Sequence, residues 1–446
     1  MNKLVLIFMA CVVVLSHGAE RYKDRMFDVS VKKDVLYASG VKHLKKVNTL
    51  LKLYNTYAEN GDGTPVYLYE SETDLRDVDL FMDIYQPKND TEKKRAAVLV
   101  MHGGAFAAGA KDDFAQHTVT YCDSLAARGY VTVAVGYRLG ITAVIKDKTL
   151  NIDSLDFSRT VYRGIQDVRA AVRYVRAHAD ELGVDPGRIY LIGNSAGAIL
   201  SLENIYMDKD SEIPPAAKSS PDLGGLDAYG VQGFNGQANA VAALWGAVHD
   251  PKIIEDVKKP VLLVHGKADS TVVFKTGRPL GNIANVLKNV MPDAAAILGS
   301  YAFHVRTPTL YGSYVIDSVL TANGVEHDTY FVEGQPHEFY DYEDYDVKVQ
   351  EKVFNFLYAQ TQKPAGTDRI VVALIKPSAL RMGENNLSFT VTTGNNLAYV
   401  VTDLRGRIVK NGVVSAGETV EFSDLEHGVY VLRVKGERPV RFGLSR

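Results

Sequence analysis

The stretch Ile189-Tyr190-Leu191-Ile192-Gly193-Asn194-Ser195-Ala196-Gly197-Ala198 joins an apolar run to a Gly-x-Ser-x-Gly pattern. The apolar run predicts a buried strand, and the residues after it predict a helix. A serine hydroxyl is a weak nucleophile unless a sharp strand-to-helix turn presents it to a base. Glycines flank such a turn because the two backbones approach too closely for side chains. Ser195 is therefore the candidate nucleophile, although the pattern alone also fits an ordinary turn.

A second loop of small residues, His102-Gly103-Gly104-Ala105-Phe106, follows the apolar run 96–101. A continuous apolar run of this length predicts a strand that is covered on both faces of a parallel sheet. The loop exposes backbone N–H groups, which are the donors that an oxyanion requires in acyl transfer. We predict that Gly104, Ala105 and Ala196 supply these donors. In a chain without a nucleophile, an ordinary Gly-Gly turn would be the preferred interpretation.

A serine nucleophile requires a base that takes its proton and a carboxylate that orients the base. Asp269 follows the apolar run 260–264, and His337 follows the predicted strand 329–332. Both residues therefore lie at the carboxyl ends of strands, where open α/β sheets place their sites. We predict that Ser195, Asp269 and His337 form a catalytic triad.

The choice of His337 rests on elimination among the eleven histidines of the chain. Most of the others precede the nucleophile or the acid, or follow them without a strand that leads into their loop. His102 and His265 occur in strand-end loops, where we expect them to brace the backbone. Asp167 precedes the nucleophile and lies in a helical pattern, so we expect it to have a structural role.

Strands and helices alternate along most of the chain. The strand predicted at residues 80–87 ends in Pro87, which favours a position at the edge of the sheet. Apolar residues recur at helical spacing between residues 161 and 175, and we expect this helical region to end near Gly183. The alternation predicts βαβ units and a mostly parallel sheet.

The loop at residues 102–106, the Gly-x-Ser-x-Gly turn and the loops that carry Asp269 and His337 together resemble the α/β-hydrolase superfamily, in particular its carboxylesterase and hormone-sensitive-lipase-like branch. The resemblance covers residues 80–359, and the order serine, aspartate, histidine agrees with that fold. It implies an α/β fold with an eight-stranded, mostly parallel sheet and the hydrolysis of carboxylic esters through an acyl-enzyme. Ala105 occupies a position where many relatives have glycine. Because a backbone donor is what matters, we expect alanine to cost little where its dihedral angles are allowed.

The N-terminus predicts export. A charged residue precedes an apolar core at residues 4–15 and a short run of small and polar residues, which is the pattern of a secretory signal peptide. We assign residues 1–19 to this peptide. Cys11 could instead be a lipoprotein cysteine, but the apolar core continues past it. Cys122 is then the only cysteine left, so no disulfide within the chain is expected, and its apolar neighbours predict a buried, inert thiol.

The charge is nearly balanced, with 50 basic and 53 acidic residues, which does not suggest nucleic-acid binding. The chemistry of the triad needs no cofactor, and we predict no metal site. The acidic run at residues 340–346 looks like a calcium or sugar surface, but a solvated helix start is the preferred interpretation. For residues 274–310 two interpretations remain: part of this segment overhangs the site and shapes its pocket, or it forms a surface helix and loop far from the site.

A polar stretch with Pro364 and Gly366 predicts a linker at residues 361–368, after a catalytic domain at residues 20–360. Beyond it, short apolar runs separated by turn residues predict a small β-sandwich at residues 369–446.

Two runs of this module, residues 401–409 and 428–434, resemble C-terminal sorting domains of the type IX secretion system. The resemblance implies that the module is an export address and that the secretion machinery is a partner. A carbohydrate-binding sandwich is the alternative, but the module shows no obvious aromatic platform.

These patterns predict a secreted or cell-surface serine carboxylesterase that acts on a small-molecule or polysaccharide ester. Acetyl or feruloyl esters of plant polysaccharide are one substrate class that fits an exported enzyme. A short-chain lipase and a peptidase of related fold remain alternatives, although the β-propeller that usually accompanies such peptidases is absent from the sequence. A non-catalytic binding protein on a hydrolase fold is an alternative of another class, although such proteins usually lack a triad member.

Overall fold

The structure of the protein is a computed structural model. It describes residues 19–46, 66–67, 69, 75–113, 117–141, 143–220, 223–282, 302–341, 345–365, 380–382, 388–391, 397–403, 407–426, 428–434 and 440–444. The predicted signal peptide lies outside these residues except for its last position. The chain divides into two compact units, Met1–Asp368 and Arg369–Arg446.

A large sheet forms the centre of the first unit. The strands of this unit are, in chain order, β1 Val29–Leu44, β2 Val66–Tyr67, β3 Leu75–Pro87, β4 Arg95–Met101, β5 Val131–Val135, β6 Ala143–Lys146, β7 Thr149–Ile152, β8 Val184–Asn194, β9 Ala240–Leu244, β10 Ala247–Val248, β11 Val261–Gly266, β12 Thr276–Gly277, β13 Ala302–Val305, β14 Leu310–Gly312 and β15 His327–Val332. Eight of them pair in the order β1-β3-β5-β4-β8-β9-β11-β15. β3 is antiparallel to both of its neighbours, β1 and β5, and the strands from β5 to β15 are parallel. The predicted eight-stranded, mostly parallel sheet of an α/β-hydrolase is confirmed.

The strand predicted at residues 80–87 belongs to β3, but it does not lie at the edge of the sheet, so that prediction is wrong. β1 pairs along its outer side, from Val29 opposite Pro87 to Leu44 opposite Leu75. Pro87 is the last residue of β3, where its missing N–H ends the ladder without interrupting it. The sequence does not predict β1, because its first half is exposed and register shifts interrupt the alternation of its apolar residues.

Helices cover both faces of the large sheet. They are α1 Thr118–Ala126, α2 Ser154–Ala177, α3 Ala179–Leu182, α4 Ala196–Tyr206, α5 Pro215–Lys218, α6 Ser313–Ala322 and α7 Tyr345–Thr361. Asp153 caps α2 by accepting a hydrogen bond from the backbone N–H of Leu155. The short α3 follows at once and ends at Gly183, whose φ of 64° is the left-handed conformation that terminates many helices. The predicted end of the helical region is confirmed.

Two hydrophobic clusters sandwich the sheet. Side chains of α2 and α4 belong to one cluster, and side chains of α1 and α7 belong to the other. Every residue of β4, β5 and β11 is buried, as expected for strands that are covered on both faces. Cys122 of α1 is also buried, and this burial raises the pKa of its thiol, so it is the inert thiol that the sequence predicts.

Asp167 of α2 organises a buried polar cluster. Its carboxylate accepts hydrogen bonds from the backbone N–H of Arg138 at 2.6 Å, from Nε of Arg138 at 3.0 Å, and from the hydroxyl of Tyr229. Asp167 and Arg138 are both buried. Because Arg138 follows the carboxyl end of β5, the ion pair fixes α2 at the edge of the sheet where the predicted site lies. Asp167 has the structural role that the sequence predicts.

A second, four-stranded sheet has the order β13-β7-β6-β2. β6 and β7 form a hairpin between β5 and α2, and β13 comes from the long segment after Asp269. Alternate residues of β7 are buried, and Phe303 and Val305 of β13 pack against the main core. Residues 283–301 lie outside the described residues, so the overhang of this segment stays a prediction.

The acidic run at residues 340–346 spans two elements. Tyr340 is buried, and α7 begins at Tyr345 with Asp346 in its first turn, while residues 342–344 lie outside the described residues. Among the residues that the structure describes, no group of three or more His, Cys, Asp and Glu side chains could hold a metal ion. Within the same ranges, the helices are too short or too polar to span a membrane.

The second unit is built from short strands. They are β16 Leu380–Met382, β17 Ser388–Val391, β18 Leu397–Asp403, β19 Ile408–Val414, β20 Thr419–Glu421, β21 Gly428–Val434 and β22 Val440–Leu444. They form two antiparallel sheets, β16-β17-β20 and β19-β18-β21-β22. Phe389 of one sheet packs edge to face on Tyr399 of the other, with ring centroids 5.1 Å apart. The predicted small β-sandwich is confirmed. The linker at residues 361–368 stays a prediction, because residues 366–368 lie outside the described part.

We expect Asp167→Ala to lower the free energy of unfolding by about 3–5 kcal/mol, because the substitution leaves a buried guanidinium without its carboxylate. Urea unfolding followed by circular dichroism measures this loss. Asp123→Ala is the matched control, since the ion pair of Asp123 with Arg25 at 3.0 Å is exposed on both sides, and such pairs contribute about 0–1 kcal/mol. Equal losses in the two variants would contradict the structural role of Asp167.

Candidate active site

Ser195 occupies the turn between β8 and α4, with φ 53° and ψ −113°. An L-residue adopts this strained conformation only where its surroundings enforce it. A Cβ atom on Gly193 would lie 2.2 Å from the carbonyl oxygen of Gly197, and one on Gly197 would lie 2.3 Å from the carbonyl oxygen of Met101. The backbones of β4, β8 and α4 therefore meet at this turn and hold Ser195 at the carboxyl edge of the sheet.

The structure brings the three predicted triad residues together. Nε2 of His337 lies 2.9 Å from Oγ of Ser195, and Nδ1 of His337 lies 2.6 Å from Oδ2 of Asp269. When the ring proton sits on Nδ1 and is donated to the carboxylate, Nε2 can accept the serine proton. Ser195 and Asp269 are buried, and His337 is partly exposed. This arrangement can activate the serine hydroxyl for attack on a carbonyl group.

The electrostatics of the site favour a charged Asp269 and a basic His337. Burial by itself would lower the pKa of His337, but the charge and the hydrogen bond of Asp269, helped by Glu338, raise it above its usual value. Burial would likewise raise the pKa of Asp269, but the two histidines that contact its carboxylate, His337 and His265, hold this pKa well below its usual range. Asp269 is therefore an anion at neutral pH, and a carboxylate in this position can stabilise an imidazolium that forms when a histidine takes a proton.

The predicted oxyanion donors lie in the loop after β4 and at the start of α4. Gly104 has φ 103° and Ala105 has φ 52°. A Cβ atom on Gly104 would lie 2.2 Å from the carbonyl oxygen of Ala108, so this position requires glycine. Ala105 is in the left-handed region, which is open to alanine at a cost of about 1–2 kcal/mol, so the expectation of a small cost is met only in part.

The loop at residues 102–106, which we call the oxyanion loop after its predicted role, lies beside the nucleophile turn that carries Ser195. A Cβ atom on Gly197 would touch the carbonyl oxygens of both Met101 and His102. Among the described residues, the backbone N–H groups of Gly104, Ala105 and Ala196 have no hydrogen-bond acceptor. These three groups are therefore available to a ligand, and their role as oxyanion donors remains a prediction.

His102 braces the oxyanion loop, as the sequence predicts. Its Nδ1 atom lies 2.7 Å from the carbonyl oxygen of Gly103, and its ring stacks on Tyr137 with centroids 4.3 Å apart. The hydroxyl of Tyr137 donates to the carbonyl oxygen of His102 at 2.8 Å. The sequence does not single out Tyr137 as a site residue. The feature that could have indicated it is its place in the loop after β5.

Two buried aromatic residues that the sequence also does not single out stand beside the triad. The indole N–H of Trp245 donates to Oδ1 of Asn194, and Nδ2 of Asn194 donates to the hydroxyl of Tyr340 at 2.7 Å. The ring of Trp245 lies edge-on to that of His337, with centroids 6.2 Å apart. The one tryptophan of the chain follows β9 at the carboxyl edge, and this position is the signal that could have found it.

His265 does more than the sequence indicates. It braces the backbone as expected, since its Nε2 atom lies 2.8 Å from the carbonyl oxygen of Val272. The same atom also lies 3.0 Å from Oδ2 of Asp269, so a second imidazole contacts the triad carboxylate. The signal that could have found this contact is the spacing of four residues between His265 and Asp269 across a tight loop.

Comparisons with known proteins agree with this architecture. Residues 82–222 match the model of the BD-FAE family, and residues 384–440 match the model of the secretion system C-terminal sorting domain. The first match includes the oxyanion loop and Ser195 and ends before Asp269 and His337.

Curated relatives include several esterases. Fumonisin B1 esterase from Sphingopyxis macrogoltabida is 31% identical over 121 residues, which are 27% of this chain and 21% of that protein. Esterase-5A from Drosophila persimilis is 26% identical over 168 residues, which are 37% of this chain and 28% of that protein. The chain thus spans less than a third of the length of these relatives.

A solved structure of Thermogutta terrifontis esterase 2, phosphonylated by cyclosarin, aligns with 21% identity and a TM-score of 0.41 over 63% of this chain and 89% of that one.

The strand order and the nucleophile turn show that the first unit has the α/β-hydrolase fold. Its residues 82–222 are similar to the BD-FAE family, and part of the chain is similar to proteins named esterases. Residues 384–440 of the second unit are similar to the secretion system C-terminal sorting domain, which indicates export or attachment at the cell surface.

We expect the rate at which a fluorophosphonate labels Ser195 to rise with pH, with a midpoint above about 6.5. The reason is that only neutral His337 accepts a proton, and Asp269 raises its pKa. In Asp269→Asn the charge is absent, so the midpoint should move down and the rate should fall by about 10⁴-fold. Mass spectrometry of the labelled protein measures both.

Glu333→Gln is the matched control for this experiment. It removes an exposed carboxylate that pairs with Lys267 at 3.0 Å in the loop that carries His337, and it should leave the midpoint unchanged. If the midpoint were the same in Asp269→Asn as in the unchanged protein, Asp269 would not set the basicity of His337.

Proposed function

We propose that the protein is an exported serine carboxylesterase that hydrolyses carboxylic esters through an acyl-enzyme. The observation that carries this proposal is the hydrogen-bonded chain from Asp269 through His337 to Ser195, with the nucleophile on a strained turn at the carboxyl edge of an α/β sheet. A serine and a histidine that are exposed and unrelated would not be expected to form a continuous hydrogen-bonded chain with a buried carboxylate.

In the first half of the reaction, Oγ of Ser195 forms a bond to the ester carbonyl carbon while its proton passes to Nε2 of His337. The negative charge that develops on the carbonyl oxygen faces the N–H groups of Gly104, Ala105 and Ala196. The bond to the alcohol oxygen then breaks, and His337 gives its proton to the leaving alcohol. The acyl group remains on Ser195.

In the second half, a water molecule takes the place of the alcohol. His337 accepts a proton from this water as its oxygen attacks the acyl carbon, and the second tetrahedral intermediate uses the same backbone donors. When the bond to Oγ breaks, the proton returns from His337 to Ser195. Asp269 stays ionised throughout and stabilises the imidazolium in both halves.

The substrate that we propose is an acetyl or feruloyl ester of plant polysaccharide. Two similarities support it. Residues 384–440 match the model of a secretion sorting domain, which fits an enzyme that acts on polymers outside the cell. Residues 82–222, which include Ser195, are similar to the BD-FAE family, and curated relatives are named esterases. The sorting domain also makes the secretion machinery the proposed partner of the second unit.

Hydrolysis of a 4-nitrophenyl ester series from acetate to long acyl chains tests the proposed function. We expect turnover of the short esters and a loss of about 10⁴-fold or more in kcat for Ser195→Ala. Ser158→Ala is the matched control, because the hydroxyl of Ser158 donates to the carbonyl oxygen of Ser154 at 2.9 Å within α2 and does not contact a triad residue. Its kcat should equal that of the unchanged protein.

The same assay separates the alternatives. A preference for long acyl chains would indicate a lipase, and release of amines from peptide substrates would indicate a peptidase. If neither the unchanged protein nor Ser195→Ala hydrolyses any ester or peptide while both are folded, the result would favour a binding protein on a hydrolase fold. Release of acetate or ferulate from acetylated and feruloylated xylan then decides the polysaccharide substrate.

A further inference from the structure

Two imidazoles, rather than one, hold the carboxylate of Asp269. Its Oδ2 atom lies 2.6 Å from Nδ1 of His337 and 3.0 Å from Nε2 of His265. The side chain of His265 is completely buried. The mechanism above uses His337 and gives His265 no task, although a buried titratable group that contacts a triad residue requires an explanation.

We propose that His265 is a positioning residue of the active site that fixes the orientation and the charge of Asp269, and through them the basicity of His337. The inference rests on the proposed function, since Asp269 matters to catalysis where His337 acts as the base. The working unit is then a chain of five side chains, Ser313, His265, Asp269, His337 and Ser195.

The hydrogen bonds of Asp269 leave its carboxylate no freedom to rotate. Oδ1 accepts the backbone N–H groups of Thr271 at 2.8 Å and Val272 at 3.0 Å. Oδ2 accepts from His265 and His337. A carboxylate offers about four acceptor positions, and here each of them has a donor. His265 supplies the one side-chain donor that takes no part in proton transfer.

His265 is itself fixed from its other side. Its Nδ1 atom lies 2.8 Å from Oγ of Ser313, the buried first residue of α6. When this hydroxyl donates to Nδ1, the ring proton sits on Nε2 and points at Asp269 and at the carbonyl oxygen of Val272. The ring of Phe274 packs edge to face against the imidazole, with centroids 5.5 Å apart. The imidazole therefore cannot leave Asp269 without breaking contacts to two other elements.

Loss of the Nε2–H donor has a defined electrostatic consequence. One acceptor position of a buried carboxylate becomes empty, so the carboxylate binds a proton more tightly and also holds the imidazolium of His337 more tightly. The pKa of His337 then rises, so the ring stays protonated to higher pH and can act as a base only above that raised pKa. Among the described residues, the titratable groups that face this chain are Asp269, His265, His337 and Glu338, which lies 4.0 Å from Nε2 of His337.

Two substitutions of His265 test the inference. His265→Leu removes the donor and replaces the imidazole with an apolar side chain of similar volume. His265→Gln keeps an N–H₂ group that can reach both Asp269 and Val272. His327→Leu is the matched control, because Nε2 of His327 pairs with Asp317 at 3.0 Å outside the chain of five.

Two readouts are needed for each variant. The pH dependence of kcat for 4-nitrophenyl acetate reports the base during turnover. The titration of the His337 ring, followed by NMR on protein with labelled histidines and assigned with His337→Gln, reports the same group without any turnover. Urea unfolding gives the stability of each variant separately.

We expect His265→Leu to lower kcat by about 10-fold and to move the titration of His337 upward by about half a pH unit or more, with KM unchanged. His265→Gln should restore kcat to within about twofold and return the titration to its original position. The control should change neither readout.

If His265→Leu and His265→Gln lower stability and kcat equally and leave the titration of His337 in place, His265 is a merely structural residue and the inference is overturned. The NMR readout keeps the two proposals apart. A protein that hydrolyses no ester, but whose His337 titration moves as expected, would refute the esterase and leave the positioning role of His265 standing.

Discussion

The close approach of three backbones around Ser195 is the constraint on which the site depends. β8 and α4 meet so tightly at Gly193 and Gly197 that neither position has room for a Cβ atom, and α4 rests against the last carbonyl groups of β4. The backbone N–H of Ser195 is bound to the carbonyl oxygen of Leu244 at 3.0 Å, which adds β9 to the same junction. A strained residue of this kind costs about 1–3 kcal/mol, and the surrounding sheet offsets it. In this conformation the hydroxyl of Ser195 lies within hydrogen-bond distance of His337, and the oxyanion loop lies beside the turn.

The sequence predicts those parts of the molecule whose structure depends on local patterns of residues. Apolar runs such as 96–101 and 260–264 predict buried strands because a strand covered on both faces has no polar side. Ser195, Asp269 and His337 could be chosen because each follows a predicted strand and because a nucleophile, a base and an acid are chemically distinct. The prediction that residues 80–87 lie at the sheet edge was wrong because it depended on a distant part of the chain. The outer neighbour of this strand is β1, and the exposed residues and register shifts of β1 leave no regular alternation in its sequence.

Contacts between distant elements explain what the sequence could not predict at the site. Tyr137, Trp245 and Ser313 lie far apart along the chain, and each makes a hydrogen bond to a site residue that is distant in sequence. No local sequence pattern predicts such a contact. His265 is the intermediate case. Its spacing from Asp269 is local, but whether its ring turns toward the backbone or toward the carboxylate is decided by Ser313 and Phe274. The position of a histidine at the end of a strand therefore predicts that its ring is fixed by hydrogen bonds. It does not predict which groups the ring contacts.

If the protein is the esterase that we propose, Ser195 carries the acyl group during turnover. Rapid acid quenching of the protein during reaction with 4-nitrophenyl acetate, followed by peptide mass spectrometry, detects such a group. We expect an acetyl group on the oxygen of Ser195 that forms with the first release of nitrophenol and disappears when substrate is exhausted. Release of nitrophenol with no acetyl group on Ser195, or with the acetyl group on another residue, would contradict the acyl-enzyme mechanism.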